Sequence, residues 1–469
     1  GQFVDYRDLS VRHLGTIYEG LLEFHLAALE APEADDGLRW TVALVNDKGE
    51  RKATGSYYTP DYIVKYMVDR TVRPALEAAT AAAADDRARV DAVLAQNVLD
   101  PAMGSGHFLV EVVEAIARYL VALDVPPESD AGGVGDAPDG GVAGAQGVPR
   151  EPDVAYWKRR VAQNCVYGVD LNPLAVDLAK LSLWLTTVSR DRPLSFLDHH
   201  LRPGNALVGA RLDDLVPMAW ERGRPDRTGR RKGATADVAA GGAGSTGESA
   251  PDAAPTPAQL SMLDDAGFRR NLSLAVDAMW LIEGTAGVTV AEVREQEQLY
   301  LDLRERLTRR YGRLADLSTA THFGLTVDAE LWRPLVDYAT GRSLAAPARF
   351  GAWLAAAEAF AERHRPFHWE LEFPEVFVDR HGRPLGEAGG FDVVIGNPPY
   401  IRQEQLAVFK PYLRARYGEV YAGTADLYLY FYARGITLLK QDGRMAFISS
   451  GTFARANFAD PGLRTELRH

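Results

Sequence analysis

Apolar residues recur at helical spacing over residues 8–30, where Leu14, Ile17, Tyr18, Leu21, Leu22 and Phe24 share one side. That period predicts an amphipathic helix. Residues 39–54 predict a hairpin, with the run from Trp40 to Val45 followed by a turn at Asn46-Asp47-Lys48-Gly49. A further helix opens after Pro60 and runs to about Val72. Gln96 to Asp100 is a short apolar strand ending in an acid, and a helix follows from about His107 to Leu123. Val166 to Asp170 repeats the pattern: a strand, a terminal acid, then Pro173 opening an apolar helix from Ala175 to Val188. Residues 260–365 carry only helical periods and read as an inserted helical unit. Strand patterns return at Phe391 to Gly396 and at Arg444 to Ser449, with an apolar, aromatic helix between them from Ala425 to Lys440. Strands alternating with helices predict an α/β fold, a doubly wound, mostly parallel sheet covered on both faces.

Two stretches lack any apolar period, residues 125–153 and 222–259. Neither buries enough apolar surface to offset its ordering entropy, so both predict loops or linkers. The basic cluster at 222–232 reads as part of a solvated loop. With 469 residues, 46% of them hydrophobic, the chain is too long for one ordinary domain, and two or three structural units are expected. No apolar run is long enough for a membrane helix. The single cysteine, Cys165, forms no internal disulfide and lies in an apolar stretch, which suits core packing and a reducing cytoplasm. The formal charge of -12 argues against a basic nucleic-acid coat and leaves room for a local basic cleft. The chain opens Gly1-Gln2-Phe3 and ends Arg468-His469, as a piece of a longer polypeptide would.

The first chemistry lies where a strand meets a helix, over Asp100-Pro101-Ala102-Met103-Gly104-Ser105-Gly106-His107-Phe108. Gly104 and Gly106 permit a tight turn and close backbone approach to a ligand. The helix N-terminus beyond them favours a negative group, and Asp100 can hold a positive one. A zwitterionic amino-acid moiety satisfies both, and S-adenosylmethionine carries one. A dinucleotide loop and a structural glycine turn are the alternatives. The dinucleotide reading lacks its third glycine, and the next strand-end acid is as far on as Asp170. An acid placed like Asp170 accepts hydrogen bonds from ribose hydroxyls. His107 reads as a helix start.

The most specific segment is Asn397-Pro398-Pro399-Tyr400, directly after a strand. Two prolines fix the backbone, so the Asn397 side chain and the Pro398 carbonyl point in set directions. Two acceptors so held can take both hydrogens of an exocyclic amine and keep its lone pair turned toward a methyl donor. Tyr400 offers a ring face to a planar base. A base inside a duplex has to leave the stack to reach such a pocket. The plain alternative is a rigid Asn-Pro turn.

Taken in this order, the segments resemble the gamma-ordered N6-adenine DNA methyltransferases, within them the type IIG restriction-modification and BREX or DISARM phage-defence group. The resemblance implies a Rossmann-like class I methyltransferase sheet with an N-terminal helical region and a helical insertion. It covers most of the chain. Residues Leu14 to Leu22 are similar to the helix preceding the catalytic domain in that group, and Gly55 to Pro60 resembles the first cofactor motif. Tyr58, Thr59 and Pro60 would then lie along the methionine part. Asp100 to Phe108 (with Pro101, Ala102, Gly104 and Gly106) and Asp170-Leu171 match the next two motifs, and Gly204 to Leu207 places Asn205 and Ala206 near the cofactor adenine. Phe367-His368-Trp369-Glu370 and Phe373 to Phe377 resemble the segment that precedes the catalytic motif. Asp426-Leu427-Tyr428 and Gly443 to Ser450 resemble later elements, and Phe458, with Phe453 second, would supply another aromatic under the flipped base.

The implied reaction is in-line methyl transfer from S-adenosylmethionine to adenine N6 in double-stranded DNA, with Asn397, Pro398, Pro399 and Tyr400 as the catalytic motif. It needs no metal and no covalent enzyme intermediate. The expected division is 1–50, an N-terminal helical and hairpin region; 51–214, the cofactor-binding half; 215–370, a linker and helical insertion; and 371–469, the catalytic half. The family's usual target-recognition domain is expected beyond Phe458, outside this chain, and no nuclease spacing of paired acids and a lysine stands out. That lack favours a phage-defence modification enzyme, with other subunits of a defence complex as partners besides DNA. The rival readings are the same chemistry on an RNA base or protein amide, a catalytically idle DNA-binding or assembly subunit, and, least favoured by glycine spacing, a nicotinamide oxidoreductase.

Overall fold

The computed structural model describes the backbone of residues 24–30 and 40–46, and residues 59–125, 151–188, 193–212, 266–339 and 350–449 apart from a few positions within them. Phe24–Glu30 (β1) and Trp40–Asn46 (β2) form an antiparallel pair, Phe24 opposite Asn46 and Glu30 opposite Trp40. This corrects the expected N-terminal helix over 8–30: its last seven residues are strand. It also corrects the hairpin, because the partner of Trp40–Asn46 lies upstream, not after the turn at Asn46 to Gly49. The Leu and Ala content of β1 favours helix, but pairing with β2 outweighs that weak preference. Leu14 to Leu22 lies outside the described residues.

The main body then alternates helix and strand. Asp61–Thr80 (α1) and Asp86–Leu94 (α2) precede Val98–Asp100 (β3). Helices His107–Ala122 (α3) and Glu151–Asn164 (α4) lead to Val166–Asp170 (β4), and Pro173–Thr187 (α5) leads to Leu201–Pro203 (β5). Helix α1 continues past the expected end at Val72, through Pro74, because Leu76 and Thr80 are buried on the same face as Val64 and Val68. Side-chain caps start two of these helices: Asp85 accepts from the Ala88 amide at 2.7 Å, and Asn172 from the Leu174 amide at 3.0 Å.

Among the described residues, five helices follow in the insertion: Ala266–Gly284 (α6), Val290–Leu307 (α7), Arg313–Thr321 (α8), Ala329–Ala339 (α9) and Gly351–His364 (α10). They share their own apolar core, centred on Phe268, Leu272, Tyr311, Leu314, Trp332 and Phe350. Two single-turn helices, Trp369–Glu372 (α11) and Pro374–Phe377 (α12), return the chain to Phe391–Gly396 (β6). Lys410–Arg416 (α13), Leu427–Leu438 (α14) and Leu439–Phe447 (β7) complete the described chain. The last strand starts five residues before the expected Arg444, directly at the end of α14, with an irregular step against β6 between Phe391 and Val393.

The five main strands are all parallel, in the order β5-β4-β3-β6-β7. This is the doubly wound α/β sheet expected. The central strands are buried on both faces, and the pleat sorts them. Val98, Val166, Val393 and Ile395 face the core under α1, α3 and α5. Leu99, Tyr167, Val169, Phe391 and Val394 face the opposite core, formed with α11 to α14. Strand order reverses between β3 and β6. Loops at the carboxyl ends of two such strands diverge and leave a crevice where ligands of open α/β sheets bind. Asp100 ends β3 and Gly396 ends β6.

Candidate active site at the switch point

Asp100 is 1% exposed. Its Oδ1 accepts the Ala102 amide at 3.0 Å, while Oδ2 is buried and has no hydrogen-bond partner among the described residues. Burial, and secondarily the charge of Asp170, pushes its carboxyl up to about 8. A buried carboxyl with an oxygen left over is costly unless a donor or cation meets it. That fits a ligand carrying an ammonium group.

The loop after Asp100 is shaped as the glycines require. Gly104 has φ +55 and Gly106 has φ +81. A Cβ at Gly106 would stand 3.0 Å from that of Ala179 on α5, whereas one at Gly104 would meet nothing within 4 Å. Gly104 therefore borders open space, and Gly106 allows α3 to start close against α5. Pro101 and Met103 are buried and Ala102 is partly buried. Phe108 is 4% exposed and belongs to the core under α1, so its side chain is structural and only its backbone lies near the loop.

Asp170 ties the loops together. Its Oδ2 accepts the Gly104 amide at 2.9 Å and its Oδ1 the Asn172 amide at 2.8 Å. Leu171 beside it is 53% exposed. The Asn205 amide donates to the Arg365 carbonyl at 2.7 Å, and Asn205 Oδ1 accepts the Leu207 amide at 3.2 Å. Ala206 is buried.

The segment Phe367 to Glu370 zips onto this loop. Phe367 donates its amide to the Val208 carbonyl, and Trp369 Nε1 donates to the Ala206 carbonyl at 3.1 Å. His368 Nδ1 accepts the Ala210 amide at 3.0 Å, which leaves Nε2–H to donate to Asp316 Oδ1 at 2.9 Å. Glu370 Oε2 accepts the Leu212 amide at 2.6 Å. These residues brace the Asn205 loop against the insertion.

Asn397 follows β6 directly. Its Nδ2 donates to Thr59 Oγ1 at 3.2 Å. Thr59 is buried and stands just before Pro60, the residue that opens α1. Tyr400 is half-buried and donates from its hydroxyl to the Ile448 carbonyl at 2.9 Å, so its ring is held from the end of β7. The buried Tyr428 ring lies 6.0 Å from it, and burial raises the Tyr400 phenol to about 12. Pro398 is buried and Pro399 partly exposed. The structure thus brings Thr59, Pro60, Asp100, Gly104, Asp170, Asn397 and Tyr400 to one end of the sheet. Tyr58, Phe453 and Phe458 lie outside the described residues.

Two residues of this site escape a motif reading. An alanine Cβ at Gly396 would stand 2.5 Å from Asp100 Oδ1, so any side chain there would have to displace the carboxyl. Arg365, at the end of α10, has φ +47 and donates from its guanidinium to the Leu171 carbonyl at 2.9 Å while its own carbonyl takes the Asn205 amide. It joins the loops after β4 and β5. A separate cavity of about 1170 Å³ opens among Gly209, Trp369, Tyr417, Arg434 and Lys440, on the far side of the bracing segment Phe367 to Glu370, and is lined by none of Thr59, Asp100, Gly104, Asp170, Asn397 and Tyr400.

Comparison with known families follows the same geography. A model of the Eco57I restriction-modification methylase family matches residues 164–465, from the last residue of α4 through the Asn397 motif. The chain belongs to that family. A model described as N-6 DNA Methylase matches residues 44–202 of this Eco57I-family chain, which include Thr59, Asp100 and Asp170. The chain is similar to RM.MjaORFECS2P of Methanocaldococcus jannaschii, named as a type II restriction enzyme and methyltransferase, at 21% identity over 91% of this chain and 34% of that protein. It resembles the type II methyltransferase M.XhoI of Xanthomonas vasicola at 42% identity over 15% of this chain and 13% of that protein. It also resembles the adenine-specific methyltransferase PglX of Streptomyces coelicolor, at 26% identity over 40% of this chain and 12% of PglX. The chain spans about a third of the first relative's length and less of the others.

Proposed function

We propose that this Eco57I-family chain methylates the N6 amine of adenine in double-stranded DNA, with S-adenosylmethionine as methyl donor, in a restriction-modification or phage-defence system. The observation that carries the reading is the Asn397–Thr59 hydrogen bond beside the buried, half-satisfied carboxyl of Asp100. It sets the base-reading asparagine against the expected cofactor motif at the switch point.

The cofactor site would use Asp100 for the ammonium of the methionine part, with Thr59, Pro60 and the Pro101 to Gly106 loop around it. Asp170 would accept from the ribose, since each of its oxygens keeps a lone pair after its one backbone bond. Leu171, Asn205 and Ala206 would border the adenine. When bound, S-adenosylmethionine supplies an electrophilic methyl group. Asn397 Oδ1 and the Pro398 carbonyl would accept the two N–H bonds of the target amine. That concentrates electron density on a nitrogen otherwise delocalised into the ring. Tyr400 would stack on the flipped base, contributing about 1–3 kcal/mol. These residues act by positioning and electrostatics.

No helix among the described residues is long and apolar enough to cross a membrane. With a charge of -12, the chain is expected to bind duplex DNA weakly by itself at physiological salt, and other subunits or a recognition domain would supply affinity. A competition assay tests the substrate class. Duplex DNA, structured RNA and a glutamine-containing peptide are offered together with isotopically labelled S-adenosylmethionine. Label confined to DNA supports the reading, and label in RNA or peptide overturns the substrate. Failure to bind the cofactor analogue sinefungin would favour an assembly subunit.

A further inference from the structure

Three side chains without a part in methyl transfer converge away from the Asn397 site. His200 immediately precedes β5, Glu283 lies in the last turn of α6, and Glu375 lies on α12. His200 Nε2 stands 3.3 Å from Glu283 Oε1 and 3.8 Å from Glu375 Oε1, and the three ligand atoms lie within 4.8 Å of one another. The side chains of His200, Glu283 and Glu375 are 0%, 19% and 5% exposed. Among the described residues, none of the ring nitrogens of His200, Oε1 of Glu283 or the carboxylate oxygens of Glu375 makes a hydrogen bond of good geometry; the Tyr167 hydroxyl and the Val166 backbone approach Glu375 and His200 without meeting that geometry. Five such atoms in one place are unusual for a folded interior, where buried polar groups are paired.

The neighbouring cations do not resolve this. Arg202 is engaged by Glu372, and Arg160 donates to the backbone carbonyl of Glu283 at 2.8 Å rather than to its carboxylate. The rings of Tyr167 and His199 lie 3.7 and 4.0 Å from the His200 ring and hold it in place.

We propose that His200, Glu283 and Glu375 bind one divalent first-row transition metal, of the Zn²⁺ class, that fastens the helical insertion to the sheet. Ligands about 2.1 Å from a tetrahedral ion lie about 3.4 Å apart, and the two histidine–carboxylate separations bracket that value. Glu375 Oε2 can complete the set by bidentate binding. An imidazole with two carboxylates suits Zn²⁺ or Mn²⁺ better than Mg²⁺ or Ca²⁺, which take oxygen ligands. The metal sits at the N-terminal end of β5, whereas Asp100 and Gly396 mark the carboxyl ends. Its role is therefore structural, joining α6, α12 and β5, and it takes no part in methyl transfer.

The test is metal content and thermal stability of the whole chain, neither of which depends on its activity. Elemental analysis of the purified protein should give about one equivalent of metal per chain. Removal by chelator should lower Tm by roughly 3–6 °C, and added Zn²⁺ or Co²⁺ should restore it. Cobalt loading should give visible ligand-field bands that disappear in Glu375→Gln and His200→Asn. Should those variants not fold, the wild-type titration decides alone. Metal-free purified protein whose Tm ignores both chelator and added Zn²⁺, Co²⁺ and Mn²⁺ would overturn the proposal, as would stoichiometric metal that Glu375→Gln retains.

Discussion

Replacing Gly396 with alanine adds a single methyl group, yet it strikes the centre of the proposed cofactor site. The new Cβ would stand 2.5 Å from Asp100 Oδ1 and 3.2 Å from its Cγ. Carbon and oxygen approach comfortably to about 3.3 Å, so one of them has to yield by roughly 0.8 Å. The carboxyl is the softer partner, because β6 is fixed in the sheet between β3 and β7. Moving it strains the 3.0 Å bond to the Ala102 amide and turns aside the oxygen proposed to meet the ammonium. Losing a hydrogen bond between charged groups costs about 1.5–3 kcal/mol, a factor of roughly 10 to 100 in affinity. A 10- to 100-fold loss of sinefungin affinity is therefore expected by calorimetry, with an overpacking cost of about 1–3 kcal/mol in stability. Gly386→Ala, outside the site, is the matched control: it meets no atom within 4 Å but forces φ +59 on a side chain, at about 1–2 kcal/mol. Gly386→Ala should lower stability and leave sinefungin binding unchanged. A folded Gly396→Ala protein that binds sinefungin within twofold of wild type would refute the role given to Asp100.

Three further outcomes follow. Burial raises the Asp100 carboxyl from its ordinary 3.8 to about 8, so the folded protein holds that proton more tightly than the unfolded chain. The group's contribution to stability is full below 3.8 and is lost as pH rises to about 8. Binding an ammonium group needs the ionised carboxyl and the protonated amine, so sinefungin affinity should rise roughly tenfold between pH 6 and pH 7, below the range in which the ligand's own amine deprotonates; calorimetry showing a flat profile, or one unchanged in Asp100→Asn, would contradict this. Thr59→Val removes the acceptor of the Asn397 amide and should lower the methylation rate about tenfold with Tm nearly unchanged; a wild-type rate would deny Thr59 its positioning role. Cys165 is buried, and burial pushes its thiol well above the usual range, so a disulfide reagent should label it only after denaturation.

The parts of this architecture that were legible in the sequence are those built from neighbours along the chain. The strand–acid–turn–helix units at Asp100 and Asp170 and the Asn397 to Tyr400 turn are local chemistry, and their strands and helices stand where the periods place them. Residues 24–30 were misread because their Leu and Ala favour helix, while the strand depends on pairing with Trp40–Asn46. The start of β7 is hidden because Leu439 extends the apolar run of α14 with no glycine or proline between helix and strand. The contacts that assemble the site are long-range: Thr59 meets Asn397 across 338 positions, and Arg365 reaches Leu171 across 194. Nothing in a local motif announces that Gly396 is a glycine for the sake of Asp100, or that His368 spans Ala210 and Asp316.

The central claim is methylation of adenine N6 in DNA under the direction of Asn397. Methyl-free plasmid incubated with the protein and S-adenosylmethionine, then digested to nucleosides and analysed by mass spectrometry, measures it directly. The account predicts N6-methyladenine with the wild-type chain and none with Asn397→Ala, although the variant still binds sinefungin. N6-methyladenine made equally well by Asn397→Ala, or a methyl group found on another base, would contradict it.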